Sequence, residues 1–172
     1  MKTIDFMKLL QSKLGGDIDY KDMVRFRETI KGIPRLVLNF QDEHIRFEIQ
    51  NNTELYITIY KEPPHLLKIY HESFVTKLLD KVHLHSEVKI GDQEFDDKYI
   101  IVFTTPEIAQ MTINPEFREC MYNLEPFKVF QMKKRDYTLL KDLDKQYDVN
   151  NAENDIKNMV KIVKICTKIW EN

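Results

Sequence analysis

Two histidines, His83 and His85, are separated by one residue. On a β-strand alternate side chains share a face, so both imidazoles could meet one metal ion, and Glu87 continues the same row. His65 and His71 precede them, giving four histidines between positions 65 and 85. Carboxylates Asp92, Glu94, Asp96 and Asp97 follow. A divalent transition metal held by His83, His85 and Glu87 would support a hydrolytic reaction through a bound water. The polar face of a half-exposed strand would have the same composition. Asp92, Glu94 and Asp96 alternate like the start of a calcium loop. That loop needs Gly at its sixth position and a bidentate Glu at its twelfth, where this chain has Asp97 and Phe103.

Other chemistries lack their residues. The chain has four glycines, Gly15, Gly16, Gly32 and Gly91, and no cluster that could let backbone N–H groups cradle a phosphate. None of its three serines stands in a G-x-S-x-G elbow. The two cysteines, Cys120 and Cys166, form no C-x-x-C pair, and each falls in an apolar helical pattern, as a buried small hydrophobe would. Acids abound, but no pair is singled out for acid–base work.

The elements that must position these groups read as follows. Thr3 to Leu14 is a helix with Ile4, Met7, Leu10 and Leu14 at helical spacing, ended by Gly15-Gly16. Residues 23–30 are β-compatible, and Gly32-Ile33-Pro34 marks a turn. Leu36/Leu38/Phe40, Ile45/Phe47/Ile49 and Leu55/Ile57/Ile59 alternate with other residues across short polar joints. Strict period two over consecutive runs predicts an antiparallel meander over 23–60 with one buried face. A strand is expected over 65–70, a short helix over 73–82, and alternation again over 83–90. Tyr99–Phe103 is nearly all apolar and predicts a central strand covered on both faces. Helices are expected after Thr105-Pro106 and Asn114-Pro115, a hairpin over 127–132 and 136–142, and a long helix over 152–170.

Gly91-Asp92-Gln93-Glu94-Phe95-Asp96-Asp97-Lys98-Tyr99-Ile100-Ile101-Val102 is the most distinctive local pattern. It resembles a G-D-x-x-F-D-x-x-aromatic-x-V element of uncharacterised prokaryotic proteins of unknown function, over about residues 88–143. Some of those proteins carry apolar, membrane-anchoring spans before this region, which these residues lack. The resemblance implies no activity. Physically the element suits structure: Gly91 for a positive φ, Asp92 to cap the turn, Phe95 to plug the core.

The final helix carries Lys157, Lys161, Lys164 and Lys168 on a narrow stripe. Ile156, Met159, Val160, Ile162, Val163, Ile165, Cys166, Ile169 and Trp170 cover well over half its circumference, which predicts a helix packed on the sheet with a wet lysine strip. Lys133-Lys134-Arg135 reads as a basic hairpin tip.

Length bounds the rest. The 172 residues are 42% hydrophobic and 31% charged, with 26 Lys+Arg against 28 Asp+Glu. One globular domain over 1–172 is expected. The balanced charge gives no general pull toward nucleic acid. The N-terminal apolar residues are interrupted by Asp5 and Lys8, so no signal peptide is read, and no run reaches the ~18 residues of a membrane span. The expectation is a cytoplasmic α+β domain, an antiparallel sheet with helices on one face. Its leading function is a non-enzymatic protein-interaction or self-association module, without cofactor. The alternatives are the metal-dependent hydrolase on His83, His85 and Glu87, and a carrier of a small apolar ligand between the sheet and the terminal helix.

Overall fold

The computed structural model describes residues 3–21, 32–72, 87–103 and 105–170. The expected strand at 23–30, the expected helix at 73–82, and His83 and His85 lie outside them.

The first helix, α1 (Thr3–Leu14), buries Phe6, Met7 and Leu10 and stops at Gly15 and Gly16, which hold positive φ. Then β1 (Asp17–Lys21), β2 (Ile33–Phe40), β3 (Glu43–Gln50) and β4 (Glu54–Ile59) form the antiparallel meander. Ile33 and Pro34 belong to β2, not to a turn. Pro34 faces Tyr20 of β1 near the sheet edge, where a missing N–H costs least. The tight β2–β3 joint is made by Gln41 and Asp42, both at positive φ, as a two-residue hairpin requires.

The second half adds β5 (Leu67–His71), β6 (Glu87–Val88), α2 (Gln93–Lys98), β7 (Tyr99–Phe103), α3 (Pro106–Thr112), α4 (Pro115–Asn123), β8 (Val129–Met132), β9 (Tyr137–Asp142) and α5 (Val149–Trp170). All described strands join one sheet in the order β1-β2-β3-β4-β9-β8-β5-β7-β6, every pair antiparallel. The chain therefore skips from β4 to β5, and the later β8–β9 hairpin fills the gap. β7 lies second from the edge. Tyr99, Ile101 and Phe103 are buried while Ile100 and Val102 are half-buried, so it is covered fully on one face only. The expected two-sided burial is corrected.

Helix caps follow the local sequence. The Asn114 side chain accepts from Phe117 N at 2.9 Å with Pro115 at the first helical position, and Asp148 accepts from the amides of Asn150 and Asn151 at 2.8 and 2.9 Å. On α5, Ile156, Met159, Val160, Ile162, Val163 and Cys166 are buried to within 1% exposure. They form one contiguous core with Phe47, Ile57 and Leu139 of the sheet. The lysine strip is wet, as expected: Lys157 pairs with Glu153 at 2.6 Å, and Lys164 reaches Gln41 at 2.8 Å.

Candidate functional site

Of the residues expected to hold a metal, Glu87 is described. It is exposed, opens the short edge strand β6 opposite Val102, and lies 3.0 Å from Lys89. His65 precedes β5 and its ring lies 6.0 Å from that of Phe103. His71 ends β5 opposite Tyr99. His65 sits beside Phe103 at one end of β7 and His71 opposite Tyr99 at the other, so the strand β5 separates them and these two do not share a site. Among the described residues, no three His, Cys, Asp or Glu side chains are grouped to hold a metal.

The G-D-x-x-F-D element is a structural knot. Gly91 takes φ +84°, the Asp92 carboxylate accepts from Phe95 N at 3.0 Å, and Phe95 is fully buried. Asp96 turns back to accept from Ile90 N and Gly91 N at 3.0 and 2.9 Å. Arg118 of α4 lies 3.3 Å from Asp92 and ties the knot to the helix layer. These carboxylates serve the chain itself, capping backbone groups and holding Arg118.

Among the described residues, another group of chemistry-capable side chains comes together elsewhere. A polar cleft of about 270 Å³ opens where the α4–β8 connection, the end of β9 and the start of α5 meet. Lys141, Tyr147 and Asp155 line its floor. Lys141 and Asp155 are 4% and 2% exposed, with Nζ and Oδ2 2.7 Å apart. The Tyr147 hydroxyl donates to the same oxygen at 2.7 Å, and the ammonium sits 5.5 Å from the centre of the Tyr147 ring. Burial pushes the Asp155 carboxyl up, against the pull of Lys141 and the Tyr147 hydrogen bond. Burial, joined by the Asp155 charge, drives the Tyr147 phenol far above the ordinary range.

Glu125 forms the other wall. It accepts from the Tyr99 hydroxyl, holds Lys98 at 2.7 Å, and faces His71 at 3.9 Å. Tyr99 is raised far above its ordinary range, by burial first and the Glu125 bond second. The thiols follow the same direction. Burial pushes Cys120 up to about 11 and Cys166 up to about 12.

Chemically, this arrangement neutralises itself. A nucleophile or general base is activated by a lowered pKa or by a base aimed at it. Here both thiols and the cleft phenol are shifted away from ionisation, and the floor ammonium is matched by a buried carboxylate. The sequence reading did not single out Lys141, Tyr147 or Asp155. A signal was present, because period two through Tyr137, Leu139 and Lys141 puts a lysine on the core face of β9. Asp155 likewise sits on the apolar arc of α5 beside Ile156.

No protein-family model matches the sequence, and no curated protein matches it. The fold does have a solved counterpart. The crystal structure of the mycobacterial trehalose monomycolate transport factor A, TtfA, superposes with a TM-score of 0.65. The match covers 94% of this chain and 92% of that chain at 7% identity. At that identity the likeness establishes the α+β fold alone. No described helix is long and apolar enough to cross a membrane.

Proposed function

We propose that this chain is a non-enzymatic binding module for a protein partner. The observation that supports it most is the state of the cleft: Lys141, Asp155 and Tyr147 satisfy one another on one buried oxygen and hold β9 to α5. Such a constellation fixes a scaffold; it does not present a poised acid, base or nucleophile to substrate. The fold likeness adds weaker support, since the mycobacterial counterpart is named as a transport factor.

Native mass spectrometry of the gently purified protein tests this reading. The expected spectrum shows a stoichiometric polypeptide added to the chain, with no metal mass. One transition-metal ion per chain, lost on His83→Ala/His85→Ala substitution while the fold survives, overturns it in favour of the hydrolase.

A further inference from the structure

Among the described residues, many cations are held by carboxylates. Arg35, Lys61, Lys89, Lys98, Lys128 and Lys141 each have a carboxylate between 2.6 and 3.0 Å away. Lys68, Lys133, Lys134 and Arg135 have no ion-pair partner among the described residues, as holds also for Lys8, Lys145 and Lys164, and of these Lys68, Lys133 and Lys134 line one groove. The nearest carboxylate along the chain, Asp136, is engaged by the Thr138 hydroxyl at 2.8 Å.

Pairing register brings Lys68, Lys133 and Lys134 to an apolar groove. Leu67 of β5 stands opposite both Phe103 of β7 and Met132 of β8, so three core side chains end one row at the end of the sheet. They are 1–3% exposed. Leu66, one residue earlier, is 52% exposed, and Lys68 faces Val102 on the other side of the sheet. Lys133 and Lys134 continue from Met132 into the hairpin turn. Together they enclose an open groove of about 580 Å³, an apolar floor under a basic rim. That volume is within the ~300–1,000 Å³ range of ligand-sized sites.

Resting on the binding-module reading, we propose that this groove receives a short acidic segment of the partner protein, with one or two large apolar side chains as anchors. The rim sets the sign of the partner's charge: unpaired lysines steer and orient carboxylates. The floor sets the anchor, because a concave apolar pocket takes an inserted Leu, Phe or Trp. The apolar surface open to that anchor comes from Leu66, 52% exposed, and half-buried Val102, while Leu67, Phe103 and Met132 close the groove from beneath.

The test pans a random 12-residue peptide library on the full chain and measures selected peptides by fluorescence anisotropy at low salt. Enriched peptides should combine Asp or Glu with an aromatic or aliphatic anchor. Lys133→Glu/Lys134→Glu should weaken them at least ten-fold, with the loss shrinking as salt screens the rim. Leu66→Ser, at an exposed position, should weaken them several-fold without altering the fold. No enrichment, enrichment indifferent to both variants, or binding of anionic phosphatidylglycerol vesicles in place of peptides overturns the groove proposal. So does a dimer of the chain that buries this groove. If the native complex survives Lys133→Glu/Lys134→Glu, the groove fails and the binding module stands. A metal in the native spectrum fells the module, whatever the peptides do.

Discussion

Lys141 on the core face of β9 and Asp155 on the core face of α5 meet at 2.7 Å with both side chains almost wholly out of water. The pair is a strut between the sheet and its longest helix. Removing one partner is costly: a charge left alone in a buried site costs about 3–5 kcal/mol. Lys141→Met should therefore lower unfolding free energy by about that much in urea titrations. The loss should deepen as pH rises. Burial raises the Asp155 carboxyl above its unfolded value, so between those two values the unfolded chain has released a proton that the folded chain still holds, and stability falls as pH rises through that window. Without the ammonium that difference widens. Lys141→Met/Asp155→Leu/Tyr147→Phe removes every polar member together and should recover most of the stability. A triple variant as unstable as the single one would show that the cluster is not electrostatic in origin.

The buried thiols give a prediction on the alkaline side. Cys120 and Cys166 stand at about 11 and 12, above the ordinary 9.0 of a free thiol. Below about pH 8, a unit under the unfolded thiol value, folded and unfolded chains hold nearly the same thiol protons, and these groups contribute almost no slope. Above it the unfolded chain loses protons that the folded chain retains, so stability falls as pH rises. Buried tyrosines add the same sign from about pH 10. Thermal melts of Cys120→Ala/Cys166→Ala should begin their alkaline decline near pH 10, a full unit later than the parent. An unchanged onset would refute the assignment.

Asp96 closes the knot before β7 by accepting two backbone amides. Asp96→Ala leaves the Ile90 and Gly91 N–H groups unpaired and should cost about 1–3 kcal/mol. Its exposed neighbour offers a control: Asp97→Ala should stay within about 0.5 kcal/mol of the parent. Urea midpoints with unchanged slopes would read both. Equal effects of the two substitutions would assign the knot no special role.

Gly15 and Gly16 both hold positive φ, at +78° and +94°. They differ in surroundings. A Cβ at Gly15 would meet open space, whereas one at Gly16 would overlap the Val37 carbonyl oxygen and the Leu38 side chain on β2. Gly15→Ala should cost only the backbone term, about 1–2 kcal/mol. Gly16→Ala should cost clearly more, because α1 must also shift from the sheet. Thermal midpoints compare them directly; a ranking in the reverse order would place the strain elsewhere.

The α+β class, α1 and the β2–β4 meander were legible because their information is local: helical spacing ended by Gly15, and period two between polar joints. The caps at Asp92 and Asn114 were legible for the same reason. β1 was missed, since Asp17, Asp19 and Lys21 leave only Ile18 and Tyr20 to mark an edge strand. The cleft was missed because Lys141 and Asp155 are 14 residues apart on different elements. Nor could the groove be read, although Lys133-Lys134-Arg135 was visible as a hairpin tip. Leu67, Phe103 and Met132 become neighbours only through long-range pairing, which no local pattern encodes.

The sheet order has a consequence for how the protein is made. β4 needs β9 as its neighbour, and β9 emerges from the ribosome only after β5, β7 and the intervening helices. At roughly 5–20 residues per second, the apolar edge of β4 stands open for several seconds of synthesis. The N-terminal meander cannot be finished by its own half of the chain. The newborn protein is thus most vulnerable to mispairing with a neighbouring nascent chain until its hairpin arrives to close the seam.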